Sequence, residues 1–273
     1  MTRSPRATQP RRWATLALAS VTLAALPAHG EQRPASPINL ANPDARLWLA
    51  QAQGGEAGEA GITAEAPTDA AYLAELAVVE GHMLAARDLY AKGQGEAAVE
   101  LSLHPQLEGS LDALRHMIAD HQMPDPAAAL TAFTAALQQG ADQAIVDAAL
   151  TEVSRVFDAD AAVEADQLRA RFDAVVLLLK AAAEEYAAAI ENGAVTDPMG
   201  WHEAHAFARL AEVRLQTLTP QPLTAKAAQR AILALQDLDA VFGDPMAAAL
   251  RADDPQILFG VAARVELIAS SVR

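Results

Sequence analysis

From residue 68 onward, apolar positions recur every three or four residues, and no segment alternates with a period of two. Tyr72, Leu76, Val79, Met83 and Tyr90 share one helical stripe, opened by Thr68 and Asp69 and closed by Gly93 and Gly95. A short helix follows over "EAAVELSL", and Pro105 is expected both to stop it and to start the next, "HPQLEGSLDALRHMIAD". Pro124 and Pro126 bracket another start, and Gly140 divides "AAALTAFTAALQQ" from "ADQAIVDAALTEVSRVF". A long helical pattern runs from about Ala161 to Asn192 and closes on Gly193. Pro198 opens a helix to about Leu218. Pro220 and Pro222 then precede "LTAKAAQRAILALQDLDAVF", and Gly243 and Pro245 precede "PQILFGVAARVELIASS". Nothing competes as a strand. The expected class is all-α, an elongated antiparallel helical bundle over residues 69–273 with short Pro/Gly-marked connections.

The chain before residue 69 reads differently. Arg3, Arg6, Arg11 and Arg12 precede the apolar run "WATLALASVTLAALP" and the small-residue site "AHG", the order of a secretory signal peptide over residues 1–30. The run is short for a membrane span. Arg11-Arg12 leaves the general and the twin-arginine export routes both open. Residues 31–68 alternate Gly54, Gly55, Gly58 and Gly61 with Glu56 and Glu59, and such a stretch buries too little apolar surface to offset its ordering entropy. A flexible tether is expected there. The expected location is periplasmic, with no membrane insertion once the signal is removed.

Charge and composition narrow the chemistry. The formal net charge is −15, and removing residues 1–30 takes away four arginines and no acid. A chain this acidic is expected to attract cations or basic partners and not nucleic acid. Cysteine is absent, which excludes disulfides, thiolate catalysis, Cys-based zinc sites and iron–sulfur clusters. A metal would need imidazole and carboxylate ligands. Hydrophobic residues make up 52% of the chain and aromatics only 4%, so alanine-rich, close-packed helices must build the core.

Three stretches carry such ligands. In "HPQLEGSLDALRHMIADH", His104 and Glu108 lie four residues apart on one helix face, and His116 continues the stripe. In "EGHM", Glu80 and His82 point to opposite sides of a helix, so one of the two faces the interior, and Gly81 between them suggests a close neighbour. In "DPMGWHEAHAFAR", His202 and His205 lie on neighbouring ridges while Glu203 projects about 100° to one side of His202. The first and third stretches read equally well as solvated helix faces, because two ligands on one helix need others from a facing helix. No Gly-rich phosphate loop, Gly-x-Ser-x-Gly elbow or His-Glu-x-x-His occurs, so no enzyme is expected.

Taken together, "GGEAGEAG", "LAVVEGHMLAARDLYAKGQGEAA", "HPQLE" and "EEYAAAIENGAVTDPMGWHEAHAFARLAEVRL" form a familiar set. The last resembles the soluble helical segment of bacterial iron permeases of the oxidase-linked high-affinity type and of their free-standing exported relatives. Glu185 and Tyr186 match that segment's first Glu-Tyr pair, Gly193 and Val195 its middle, and Glu203, Ala204 and Phe207 its end. Where the pattern has a second Glu-Tyr, this chain has Gly200-Trp201, and His202 and His205 are additional. The resemblance implies an accessory role beside metal uptake, with iron favoured and copper or zinc as alternatives, and with a membrane permease or another periplasmic protein as partner. The candidate ligands are His104, Glu108, His82, Glu203, His205, His202 and His116. The competing expectation is a non-catalytic interaction module without metal.

Overall fold

The computed structural model describes residues 68–107, 118, 125–163 and 167–272. The expected signal peptide and tether, and with them Glu108 and His116, lie outside these residues. The helices are α1 (Thr68–Ala91), α2 (Gly95–Leu107), α3 (Ala127–Gln138), α4 (Gln143–Val163), α5 (Leu168–Ala189), α6 (Pro198–Leu218), α7 (Ala225–Leu235), α8 (Asp237–Phe242) and α9 (Gln256–Ala269). The fold is all-α, apart from a two-stranded hairpin between α5 and α6. In it, β1 (Ile190–Glu191) pairs antiparallel with β2 (Ala194–Val195), Ile190 opposite Val195. No helix among the described residues is long and apolar enough to cross a membrane.

Several boundaries differ from those the sequence suggests. Pro105 sits inside α2, which runs on to Leu107, so His104 lies near the end of that helix and does not open a new one. The long pattern expected from Ala161 to Asn192 divides between α4 and α5, which begins at Leu168. It ends at Ala189, where the chain turns into the hairpin, and Gly193 is a turn residue and not a helix cap. Asn192 (φ 53°) and Gly193 (φ 75°) form the Asn-Gly turn that suits a two-residue hairpin. The segment before Gly243 is likewise two helices, meeting at Gln236.

The core forms where alanine lets helices approach closely. The longest interface joins α5 to α6; α9 packs on α5, α7 on α6, and α7 on α9, closing a ring of four helices. Outside this ring, α1 lies across both α5 and α6, and α2 packs on α1. Ala70, Ala74, Ala77, Ala85 and Ala86 are buried along α1, and Ala181, Ala182, Ala204, Ala208 and Ala211 are buried on α5 and α6. Large side chains fill the remaining space: Tyr72, Phe157, Phe172, Tyr186, Trp201 and Phe207 are fully buried. Trp201 Nε1 donates to the Arg251 carbonyl (2.8 Å), and the Tyr186 hydroxyl accepts from the Asp253 amide (2.9 Å), fixing the loop between α8 and α9 onto the ring.

Candidate metal centre

Glu203 projects from the first turns of α6, a helix whose start is set locally. Pro198 occupies its first position, and the Asp197 side chain caps it by accepting from the Met199 amide at 2.9 Å. This start turns Trp201 and Phe207 into the core and aims Glu203 at α1 and α2. From α1 comes His82. The residue before it, Gly81, faces Phe207 so closely that a Cβ would lie 2.3 Å from the ring. The missing methyl group therefore sets the distance between α1 and α6 at this point. From the last turn of α2 comes His104.

The three side chains converge. His82 Nε2 and His104 Nδ1 each lie 3.2 Å from Glu203 Oε1, and one ligand atom from each residue falls within 4.8 Å of the others. Relative exposures are 0% for His82, 8% for His104 and 1% for Glu203. The His82 ring is held from behind: Nδ1 lies 2.9 Å from the Val78 carbonyl, and the ring meets Phe207 edge-on at 5.4 Å. Donation from Nδ1–H to that carbonyl places the neutral ring's lone pair on Nε2, toward the carboxylate. Metal-ligating histidines are commonly oriented by such a bond to a backbone carbonyl.

A lone pair and a carboxylate oxygen repel at this distance unless something positive lies between them. Burial by itself would raise the Glu203 carboxyl. Hydrogen bonds and charge from His104 and His82 outweigh it and hold the group down at about 2. The residue is therefore an anion in a nearly dry place, and it requires a proton on each imidazole or a metal ion. A metal bound at about 2.1 Å to each ligand separates neighbouring ligands by about 3.0–3.4 Å. The observed 3.2 Å spacings match that edge length. Glu203 Oε2 is also buried and has no hydrogen-bond partner among the described residues, which leaves the second carboxylate oxygen available to an ion.

His202 and His205 belong to a different environment. His202 Nε2 accepts from Lys92 Nζ (3.4 Å), and its ring meets Trp201 edge-on. Burial, the Lys92 charge and His205 push its pKa down to about 4, so it is neutral. His205 stacks on Trp201 at 5.7 Å and meets Phe242 edge-on, and burial likewise lowers its pKa. Neither joins the cluster. Glu80 turns away from it as well: it is buried and ion-paired to Arg214, which also holds Asp158. Burial raises the Glu80 carboxyl, and Arg214 opposes the shift. Of the residues expected from sequence, the structure thus gathers His82, His104 and Glu203. Sequence reading did not single out Lys92 and the Val78 carbonyl, since both act through contacts that spacing on one helix does not show.

Residues 161–270 match the family of the iron permease-associated 4-helix bundle domain. The ring of α5, α6, α7 and α9 lies within those residues, as does Glu203, while His82 and His104 precede them. The resemblance to the iron-permease helical segment holds over that stretch. No curated protein and no solved structure matches the chain.

Proposed function

We propose, on the premise that residues 161–270 form an iron permease-associated bundle, that this protein is a periplasmic metal-binding accessory of iron uptake. It holds a divalent ion between His82, His104 and Glu203. The observation that carries this reading is the buried Glu203 carboxylate with an imidazole nitrogen 3.2 Å away on each of two other helices. Two imidazoles and one carboxylate suit Fe(II), Zn(II) or Cu(II) better than they suit Mg(II) or Ca(II), which take oxygen donors. The bundle match favours iron within that set. The leader-like residues 1–30 support an exported location. The protein holds the ion and passes it to a membrane permease without turning over a substrate, and binding displaces the protons that otherwise neutralise Glu203.

Thermal unfolding of metal-stripped protein, with Fe(II), Zn(II) or Cu(II) added separately, tests this. A ligand at a hundredfold excess over its dissociation constant stabilises the native state by about 2.7 kcal/mol. For a domain of this size the midpoint rises by about 5–10 °C. The rise is expected to vanish in Glu203→Gln and in His82→Gln. No rise with any of the three ions, or an undiminished rise in both variants, would overturn the assignment.

A further inference from the structure

Phe207 touches the candidate centre without offering it a ligand. It lies four residues after Glu203 on α6, so the two side chains share one helix face, one turn apart. Its ring fills the place that a Gly81 side chain would take, 2.3 Å from a Cβ built there. The same ring meets His82 edge-on at 5.4 Å and 67°. His82 is thus bounded twice along α6. Its Nε2 lies 3.2 Å from Glu203 Oε1, and Phe207 stands against the ring one turn further on. From α1 itself, the Val78 carbonyl holds Nδ1 at 2.9 Å. Phe207 is fully buried, so it has no solvent to move into.

This enclosure bears on the size of the ion. An ion with bonds of about 2.0–2.1 Å fits between ligands at the observed spacing. A larger ion needs longer bonds, about 2.3–2.6 Å for one the size of calcium, and its ligands must spread. The His82–Glu203 edge widens if the imidazole swings along α6 away from the carboxylate. Phe207 occupies that direction.

We propose, resting on the metal centre argued above, that Phe207 is the specificity-determining residue that sets the largest divalent ion the centre accepts. It contacts no ion and acts through His82, as a positioning residue. Truncating its ring leaves room for the imidazole to move back, so a larger ion gains relative to a smaller one.

Zn(II) and Cd(II) separate size from chemistry, since both are divalent closed-shell ions without a preferred geometry and Cd(II) is the larger. Competitive titration against a chromogenic chelator gives both dissociation constants for the parent protein, Phe207→Leu and Phe172→Leu. Phe172 is equally buried but lies near the start of α5, outside the cluster, so its truncation reports lost packing alone. The parent is expected to bind Zn(II) at least tenfold more tightly than Cd(II). That ratio should fall at least fivefold in Phe207→Leu and stay within twofold of the parent's in Phe172→Leu. Circular dichroism at the titration temperature establishes folding, and Phe207→Met, which keeps more of the buried volume, serves the same test should the leucine variant not fold. A parent without preference for Zn(II), an unchanged ratio in the folded Phe207 variant, or an equal fall in Phe172→Leu would overturn the proposal and leave the metal centre standing. No binding by the parent, or binding undiminished in Glu203→Gln, would overturn the metal centre and this inference with it.

Discussion

At Gly81 a single absent methyl group decides how α1 meets α6. Phe207 is fully buried and its ring edges against His82, so it has no open space to retreat into. Gly81→Ala would gain up to about 1 kcal/mol of helix propensity. Overpacking of a filled core costs about 1–3 kcal/mol, so the net change is destabilising. Urea unfolding is expected to show that loss, and Gly81→Ala combined with Phe207→Leu should recover part of it; a stabilised single variant would contradict the packing argument. His202 supplies a pH dependence at the same scale. Its folded pKa of about 4 lies below the ordinary 6.5, so the folded state resists a proton that the unfolded chain accepts. The stability it contributes is fully present above pH 6.5 and is lost as pH falls toward 4. The loss reaches about 2 kcal/mol by pH 4.5. Melting temperatures measured from pH 7 to 4.5 should therefore fall less steeply in metal-free His202→Gln than in the parent protein. Parallel curves would show that His202 takes up its proton at the same pH in the folded and unfolded states.

Among the elements, the α5–α6 connection rests on backbone conformation where the α1–α6 contact rests on space. Nothing lies within 4 Å of a Cβ built on Gly193, yet its φ is 75°. Gly193→Ala is therefore expected to cost about 1 kcal/mol through strain alone and to leave any metal-induced rise in melting temperature unchanged. A neutral effect on denaturant unfolding would mean that the turn relaxes freely. The same turn shows what sequence conveys and what it hides. A glycine that ends a helical pattern serves equally well as a helix cap or as half of a hairpin turn. The flanking Ile190 and Val195 were the local sign of strands, but two-residue strands are too short for an alternating pattern to emerge. Pro198 marks the start of α6 in the sequence as in the structure, because a proline in the first turn gives up no hydrogen bond. Pro105 misled because α2 accommodates a proline one turn before its end. Between Val163, where α4 ends, and Leu168, where α5 begins, the sequence has no Gly or Pro as a mark. The cluster residues each stood among the candidates, yet spacing relates side chains on one helix. Their meeting depends on how α1, α2 and α6 cross, and that is set by buried alanines and by Gly81.

Across the whole molecule, the candidate centre straddles the edge of the permease-associated segment. Glu203 belongs to the matched four-helix ring, and both imidazoles come from helices that precede it. Without α1 and α2, Glu203 loses both imidazoles that face it, and α1 also covers Phe207 on the surface of the ring. A chain cut to residues 161–270 should lose both contributions. Uncovering Phe207 removes about 1.5–3 kcal/mol where the ring becomes fully exposed. Circular dichroism melting of that fragment is expected to give a lower midpoint than the full chain, unmoved by Fe(II), Zn(II) or Cu(II). A fragment whose midpoint still rises with one of these ions would place the ligands inside the ring, and His82 and His104 would then be packing residues that happen to face Glu203. A fragment that fails to fold leaves a second measurement decisive: in the full chain, His82→Gln with His104→Gln should abolish the metal-dependent rise and leave the ring intact. The added N-terminal helices would then be what turns a permease-associated bundle into a site for an ion.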